Sequence, residues 1–164
     1  MDVLEAIYSR RSIRSFKKKQ VEEEKIIKIL EAAIWAPSSH NSQPWEFIII
    51  KNQEILKKIA NETKWGNFIA DAPLAIAIIT DPEKSRWHEI DGALATQNIQ
   101  LVAWALGLGT CWIGTMNKEK VKQILNIPKE KNLLTILPIG YPASIGKSNR
   151  KPLKDFIHYE KYSN

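Results

Sequence analysis

Apolar residues along this chain alternate between helical and strand spacing several times. Val3, Leu4, Ala6 and Ile7 cluster behind Asp2, and the Asp2/Glu5 spacing is that of a capping box, which predicts a first helix ending near Arg10. Glu22, Glu23 and Glu24 place carboxylates at the positive end of a second helix. Its apolar positions Ile26, Ile27, Leu30, Ala33 and Ile34 recur at helical spacing, and Pro37 ends it. Trp45–Ile50 is aromatic and β-branched and predicts a strand, after which Asn52 caps a helix reaching Ala60. Leu74–Thr80 predicts a second, buried strand closed by Asp81 and Pro82. The longest helix runs from about His88 to Leu106, with Gly107 suited to its C-terminal cap. Thr110–Ile113 predicts a short strand, Asn117 caps a helix over Lys118–Leu125, and Leu133–Ile139 is the last strand. Helices alternate with strands through irregular connections, which predicts an α+β or mixed α/β class. With no repeat, low-complexity tract or long linker, residues 1–164 read as one domain.

Composition narrows this picture. A chain of 164 residues that is 44% apolar can bury a real core, and 26% charged residues exclude disordered and collagen-like classes. The single cysteine, Cys111, excludes an internal disulfide and any multi-cysteine metal site. No apolar run approaches the roughly 20 residues of a membrane span, and the acidic start does not resemble a signal peptide, so the expected location is the cytoplasm. The net charge of +6 is uneven. Residues 10–19 hold six bases and residues 145–154 four, both without an acid, leaving 14 bases against 18 acids and a charge of −4 elsewhere.

Four segments can carry chemistry. Arg10-Arg11-Ser12-Ile13-Arg14 offers guanidinium forks and a hydroxyl of the kind that cradle phosphate, with a solvated basic face or nucleic-acid contact as competing readings. Pro37-Ser38-Ser39-His40-Asn41-Ser42-Gln43-Pro44 is either an ordinary loop or a polar edge for a planar heterocycle, and its His40 has no orienting neighbour. Gly107-Leu108-Gly109-Thr110-Cys111 permits a sharp turn with close backbone approach but matches neither a dinucleotide fingerprint nor a P-loop, and Cys111 reads as packing. Leu137-Pro138-Ile139-Gly140-Tyr141 leads from a strand into a turn, and Arg150-Lys151 follows as a second anion contact.

In this order the segments resemble the nitroreductase family of FMN-dependent oxidoreductases, from about Ile7 to the C-terminus, with Asp91-Gly92-Ala93 and Gly107-Leu108-Gly109 adding to the likeness. The resemblance implies an α+β, three-layer α/β/α fold around a mixed, mostly antiparallel sheet, in an intertwined homodimer with FMN at each interface. It implies that Arg10, Arg11, Ser12 and Arg14, together with Arg150 or Lys151, hold the FMN phosphate. Pro37, Ser38, Ser39 and Asn41 would lie against the partner subunit's flavin, with Gln43 near the ribityl chain or ring edge. Pro138, Ile139 and Gly140 would flank the isoalloxazine. The implied activity is ping-pong hydride transfer from NADH or NADPH to nitroaromatics, quinones or similar acceptors, with no dedicated catalytic residue because the cofactor carries the chemistry. Alternatives are a dehalogenase, flavin-fragmenting or ene-reductase enzyme of the same fold, a non-enzymatic flavin protein, or a basic nucleic-acid binder. Trp65, Asn67, Phe68, Trp87 and His88 are candidates for an aromatic substrate wall, with dimer packing or an exposed loop edge as the competing reading.

Overall fold

The computed structural model describes residues 1–162, so the expected domain end at Asn164 lies outside the described residues. The elements are α1 (Val3–Ser9), α2 (Glu23–Ile34), β1 (Trp45–Ile50), α3 (Gln53–Asn61), β2 (Leu74–Thr80), α4 (His88–Ala105), β3 (Gly109–Thr110), α5 (Lys118–Ile124) and β4 (Asn132–Gly140). Side chains fix the helix starts where the sequence predicts them. Asp2 accepts the Glu5 N–H at 2.8 Å, and Asn52 accepts those of Glu54 and Ile55 at 2.9 and 3.1 Å. Asn117 likewise accepts from Lys120. At the end of α4, Gly107 takes φ +78°, and the Leu108 N–H reaches the Ala103 carbonyl at 2.8 Å in a Schellman cap. Among the described residues no helix is long and apolar enough to cross a membrane.

The sheet order is β1-β2-β4-β3, with every adjacent pair antiparallel. The parallel contribution is the bridge of Ser12 to Thr110 at the β3 edge. β2 explains the layering. Leu74, Ile76 and Ile78 face a core shared with α2 and α4, while Ala75, Ala77 and Ile79 face a second core shared with α3 and α5. A strand covered on both faces reads as a continuous apolar run, which is what Leu74–Ile79 is.

α2 ends at Ile34, ahead of Pro37 as expected. One element differs from the expectation. The strand expected over Thr110–Ile113 is instead Gly109–Thr110. Ile113 donates to the Ile136 carbonyl at 3.3 Å, so that edge of β4 also carries the nitrogen of Pro138, which has no hydrogen to donate. The ladder is interrupted opposite Pro138, and Ile113 meets β4 again at Ile136.

Candidate functional site

The segment Ser12–Lys17 is wedged between β3 and the turn that follows β4. Ile13 donates to the Thr110 carbonyl at 2.9 Å, Lys17 to that of Tyr141 at 2.8 Å, and Ala143 to that of Ser15 at 3.0 Å. Such close approach requires glycine on both sides. A Cβ on Gly109 would sit 2.3 Å from Ile13 Cγ1, and one on Gly140 would sit 3.0 Å from Phe16 Cδ1 and 2.6 Å from Pro73 Cδ. The preceding helix is pinned too, since Trp104 Nε1 donates to Ser9 Oγ at 2.7 Å.

This anchored backbone presents Arg10, Arg11, Ser12 and Arg14 to a cleft of about 260 Å³, closed from the far end of the chain by Lys147, Ser148 and Arg150. Among the described residues no carboxylate lines the cleft, and none of its four arginines makes an ion pair. Burial holds the Arg10 guanidinium below its ordinary proton affinity, and the positive charges of Arg150 and Arg11 add to that. Cations gathered without a counter-charge suit a multiply charged anion. Lys151 is exposed and does not line the cleft. Lys147 and Ser148 do, although the sequence marks Lys147 only as part of a charge excess and Ser148 not at all.

Pro138, Ile139 and Gly140 form the adjacent end of β4, where Gly140 pairs with Gly109 and Ile139 with Thr110. Ile139 is fully buried in the α2/α4 core, with β2 and β3 on either side of it. Arg14 also borders a groove lined by Trp65, Gly66, Phe68, Cys111, Trp112 and Gly114. Burial raises the Cys111 thiol above its ordinary value despite opposing pulls from Arg14, Ser12 and Arg10, in keeping with a packing role.

The loop Pro37–Gln43 lies elsewhere. Asp91, almost fully buried in the first turn of α4, accepts the Ser39 N–H at 3.1 Å and the Ser85 hydroxyl at 3.0 Å. Gln43 donates through its backbone to Ser38 Oγ at 3.0 Å. His40, Asn41 and Gln43 all hold positive φ, between 47° and 54°, an arrangement costly for non-glycine residues and frequent at functional sites. Trp87 lines a cavity with Ser39, His40 and Ser42, and His88 Nδ1 pairs with Thr80 Oγ1 at 2.8 Å. The expected aromatic wall is therefore divided within the chain, with Trp65 and Phe68 at one end and Trp87 and His88 at the other. The 18 residues of α4 span about 27 Å between the loop and the arginine cleft.

A sequence description of the Nitroreductase family matches residues 7–68 and 60–141. The chain belongs to the nitroreductase family. It is 39% identical to a protein of Methanothermobacter thermautotrophicus provisionally named NADH dehydrogenase/NAD(P)H nitroreductase, over 99% of this chain and 88% of the relative. The solved FMN-dependent nitroreductase of Clostridium difficile shares 34% identity and superimposes with a TM-score of 0.91, covering 97% of this chain and 99% of that one. A provisionally named Desulfovibrio desulfuricans nitroreductase, solved in complex with FMN, shares 31% identity with a TM-score of 0.91 over 99% of each chain. The three-layer nitroreductase fold is thus common to this family member and its solved neighbours.

Proposed function

We propose that this nitroreductase-family protein binds FMN and uses NADH or NADPH to reduce nitroaromatics, quinones or similar electron-poor acceptors in a ping-pong cycle. The observation that carries the reading is the uncompensated arginine cleft. FMN ends in a phosphate of about −2 charge at neutral pH, which fits four guanidinium groups lacking any acidic neighbour. Arg10 and Arg14 grip the phosphate oxygens, Arg150 reaches them with the nitrogens left by its Nη1 contacts to Ser148 Oγ and the Asn149 carbonyl, and Ser12 donates its hydroxyl. Arg11 is partly occupied by the Tyr8 and Arg10 carbonyls, both 2.9 Å away, and acts mainly through charge. The exposed Lys151 contributes a longer-range positive charge.

Bound FMN supplies the two-electron exchange between nicotinamide and acceptor. The chain supplies position and shelter. Pro138–Gly140, held by pairing with β2 and with Gly109–Thr110, flank the flavin ring, and Trp65, Phe68 and Trp112 form an apolar platform that receives a planar substrate. The connection between α3 and β2, residues 62–73, contains the short 3-10 turn Asn67–Asp71, and Trp65 stays exposed, so the acceptor side is open.

The functional unit is a homodimer of one domain per chain, in the cytoplasm. Large apolar side chains left in solvent support this: Leu4 and Tyr8 on α1, Trp35 after α2 (84% exposed), Ile90 and Leu94 on α4, and Leu153, Phe156 and Tyr159 in the C-terminal segment. A second copy places its Pro37, Ser38, Ser39, Asn41 and Gln43 against the flavin, which the α4 spacing denies to the same chain.

The test is the purified protein. It should be yellow, release FMN on denaturation, and bleach without oxygen on addition of NADH or NADPH. Colourless protein that does not take up FMN would refute the proposal, and bound flavin that neither nucleotide reduces would leave a flavin-binding protein without this activity.

A further inference from the structure

The lysine run at residues 17–19 has no part in the arginine cleft. Lys19 is accounted for structurally, with its ammonium 4.0 Å from the Tyr141 ring centre and 3.3 Å from Glu22. Lys17 and Lys18 are exposed, and among the described residues neither makes an ion pair. Both line a groove of about 510 Å³, floored by Phe16 and Pro73 and edged by Gln20 and Gln53. Gln53 is held at that rim by its hydrogen bond to the Ala72 carbonyl at 3.2 Å. Asp71 is the one carboxylate among the groove's lining residues. Arg14 borders this groove, the arginine cleft and the Trp65–Trp112 groove, so the three are contiguous.

We infer that the Lys17/Lys18 groove holds the adenylate end of the reducing dinucleotide and selects NADPH over NADH through its 2′-phosphate. This rests on the proposed FMN chemistry and extends it to the choice of reductant. The nicotinamide must stack where the flavin is exposed, beside the Arg14 and Trp65 groove, so its remote phosphates have to settle on a neighbouring surface. With the arginine cleft filled by the FMN phosphate, Lys17 and Lys18 are the contiguous cations that remain unpaired. A site for a 2′-hydroxyl commonly offers a carboxylate and a site for a 2′-phosphate offers cations. This groove has an excess of cations. Phe16 and Pro73 give the adenine an apolar floor, and the glutamines give it polar edges.

The test compares the FMN-saturated protein with its K17Q/K18Q variant. Calorimetric titration with adenosine 2′,5′-bisphosphate and with 5′-AMP reads binding alone. The bisphosphate should bind wild type roughly tenfold more tightly than 5′-AMP, and the variant should lose that margin. In steady-state kinetics, the variant's KM for NADPH should rise roughly tenfold with kcat held, and added salt should narrow the NADPH preference of wild type. Turnover with 1-benzyl-1,4-dihydronicotinamide, which carries no phosphate, should be equal in the two proteins. Equal use of NADH and NADPH by wild type, or an unaltered NADPH KM in the variant, would overturn the inference while leaving the FMN enzyme intact. Loss of FMN or of benzyl-dihydronicotinamide turnover in the variant would overturn it as well, by assigning the lysines to the cofactor. Wild type without FMN would remove the proposed function itself.

Discussion

Two clusters of positive charge arise within a few residues of each other and could hardly be more different in their electrostatics. Around Tyr141 every cation has an answer. Its hydroxyl donates to Glu22 at 2.5 Å, Lys25 donates to that hydroxyl at 2.8 Å and to the Leu106 carbonyl at 3.1 Å, and Lys19 covers the ring. The Tyr141 hydrogen bond, with help from Lys19, pulls the Glu22 carboxyl down to about 2, and the same neighbours raise Lys19. Around Arg10 the shift has the opposite sense, because burial and like charge disfavour the guanidinium with no acid to offset them. Position in the chain does not separate the clusters, since Lys19 and Arg10–Arg14 come from the same 10–19 basic window. What separates them is whether the protein itself supplies the counter-charge. The closed cluster secures the turn after β4, and the open one awaits a ligand.

The largest effect should come from opening the contrast further. The double substitution Arg10→Ala/Arg150→Ala should weaken FMN binding by about 1.5–3 kcal/mol for each guanidinium removed, read by flavin fluorescence titration. Its cofactor-free form should melt no lower than wild type, because like charges have been removed from one cleft. A lower melting temperature for that form would mean the arginines are structural, and the contrast would fail. Next comes Gly109→Ala, whose new methyl meets the buried Ile13 and should cost about 1–3 kcal/mol of stability in denaturant melts, with FMN affinity falling as Arg10–Arg14 shift. The smallest effect falls on the closed cluster. In wild type, the depressed Glu22 carboxyl contributes stability above its ordinary value near 4.5 that is lost as pH falls toward 2. Tyr141→Phe should return the Glu22 titration toward 4.5 and flatten the stability profile in that acid range, with FMN binding at pH 7 little changed; NMR titration and acid melts check both.

Much of this was legible in the residues. β1 and β2 are found where their β-branched runs predict, and Asp2, Asn52 and Asn117 cap as their positions suggest, because these signals are local. The arginine motif and Arg150 could be picked out as charges without neighbouring acids. Other features depend on which segments meet. Asp91 anchors the Pro37–Gln43 loop only because folding buries it beside Ser39. Thr110–Ile113 shortens because Pro138 arrives on the facing strand. Trp65 and Trp87 separate because β2, about 23 Å of extended chain, carries the backbone from one end of the sheet to the other between them.

The length of α4 has a consequence for inheritance as well as for structure. If each complete site joins the arginine cleft of one chain to the polar loop of another, a chain with a ruined cleft and a chain with a ruined loop are each inactive alone. Mixed, they form heterodimers in which both lesions fall on one site and the other is assembled wholly from sound halves. An equal mixture pairing at random should recover about a quarter of the wild-type sites. Two null alleles of this gene would then complement one another, which two lesions within the same half could not do.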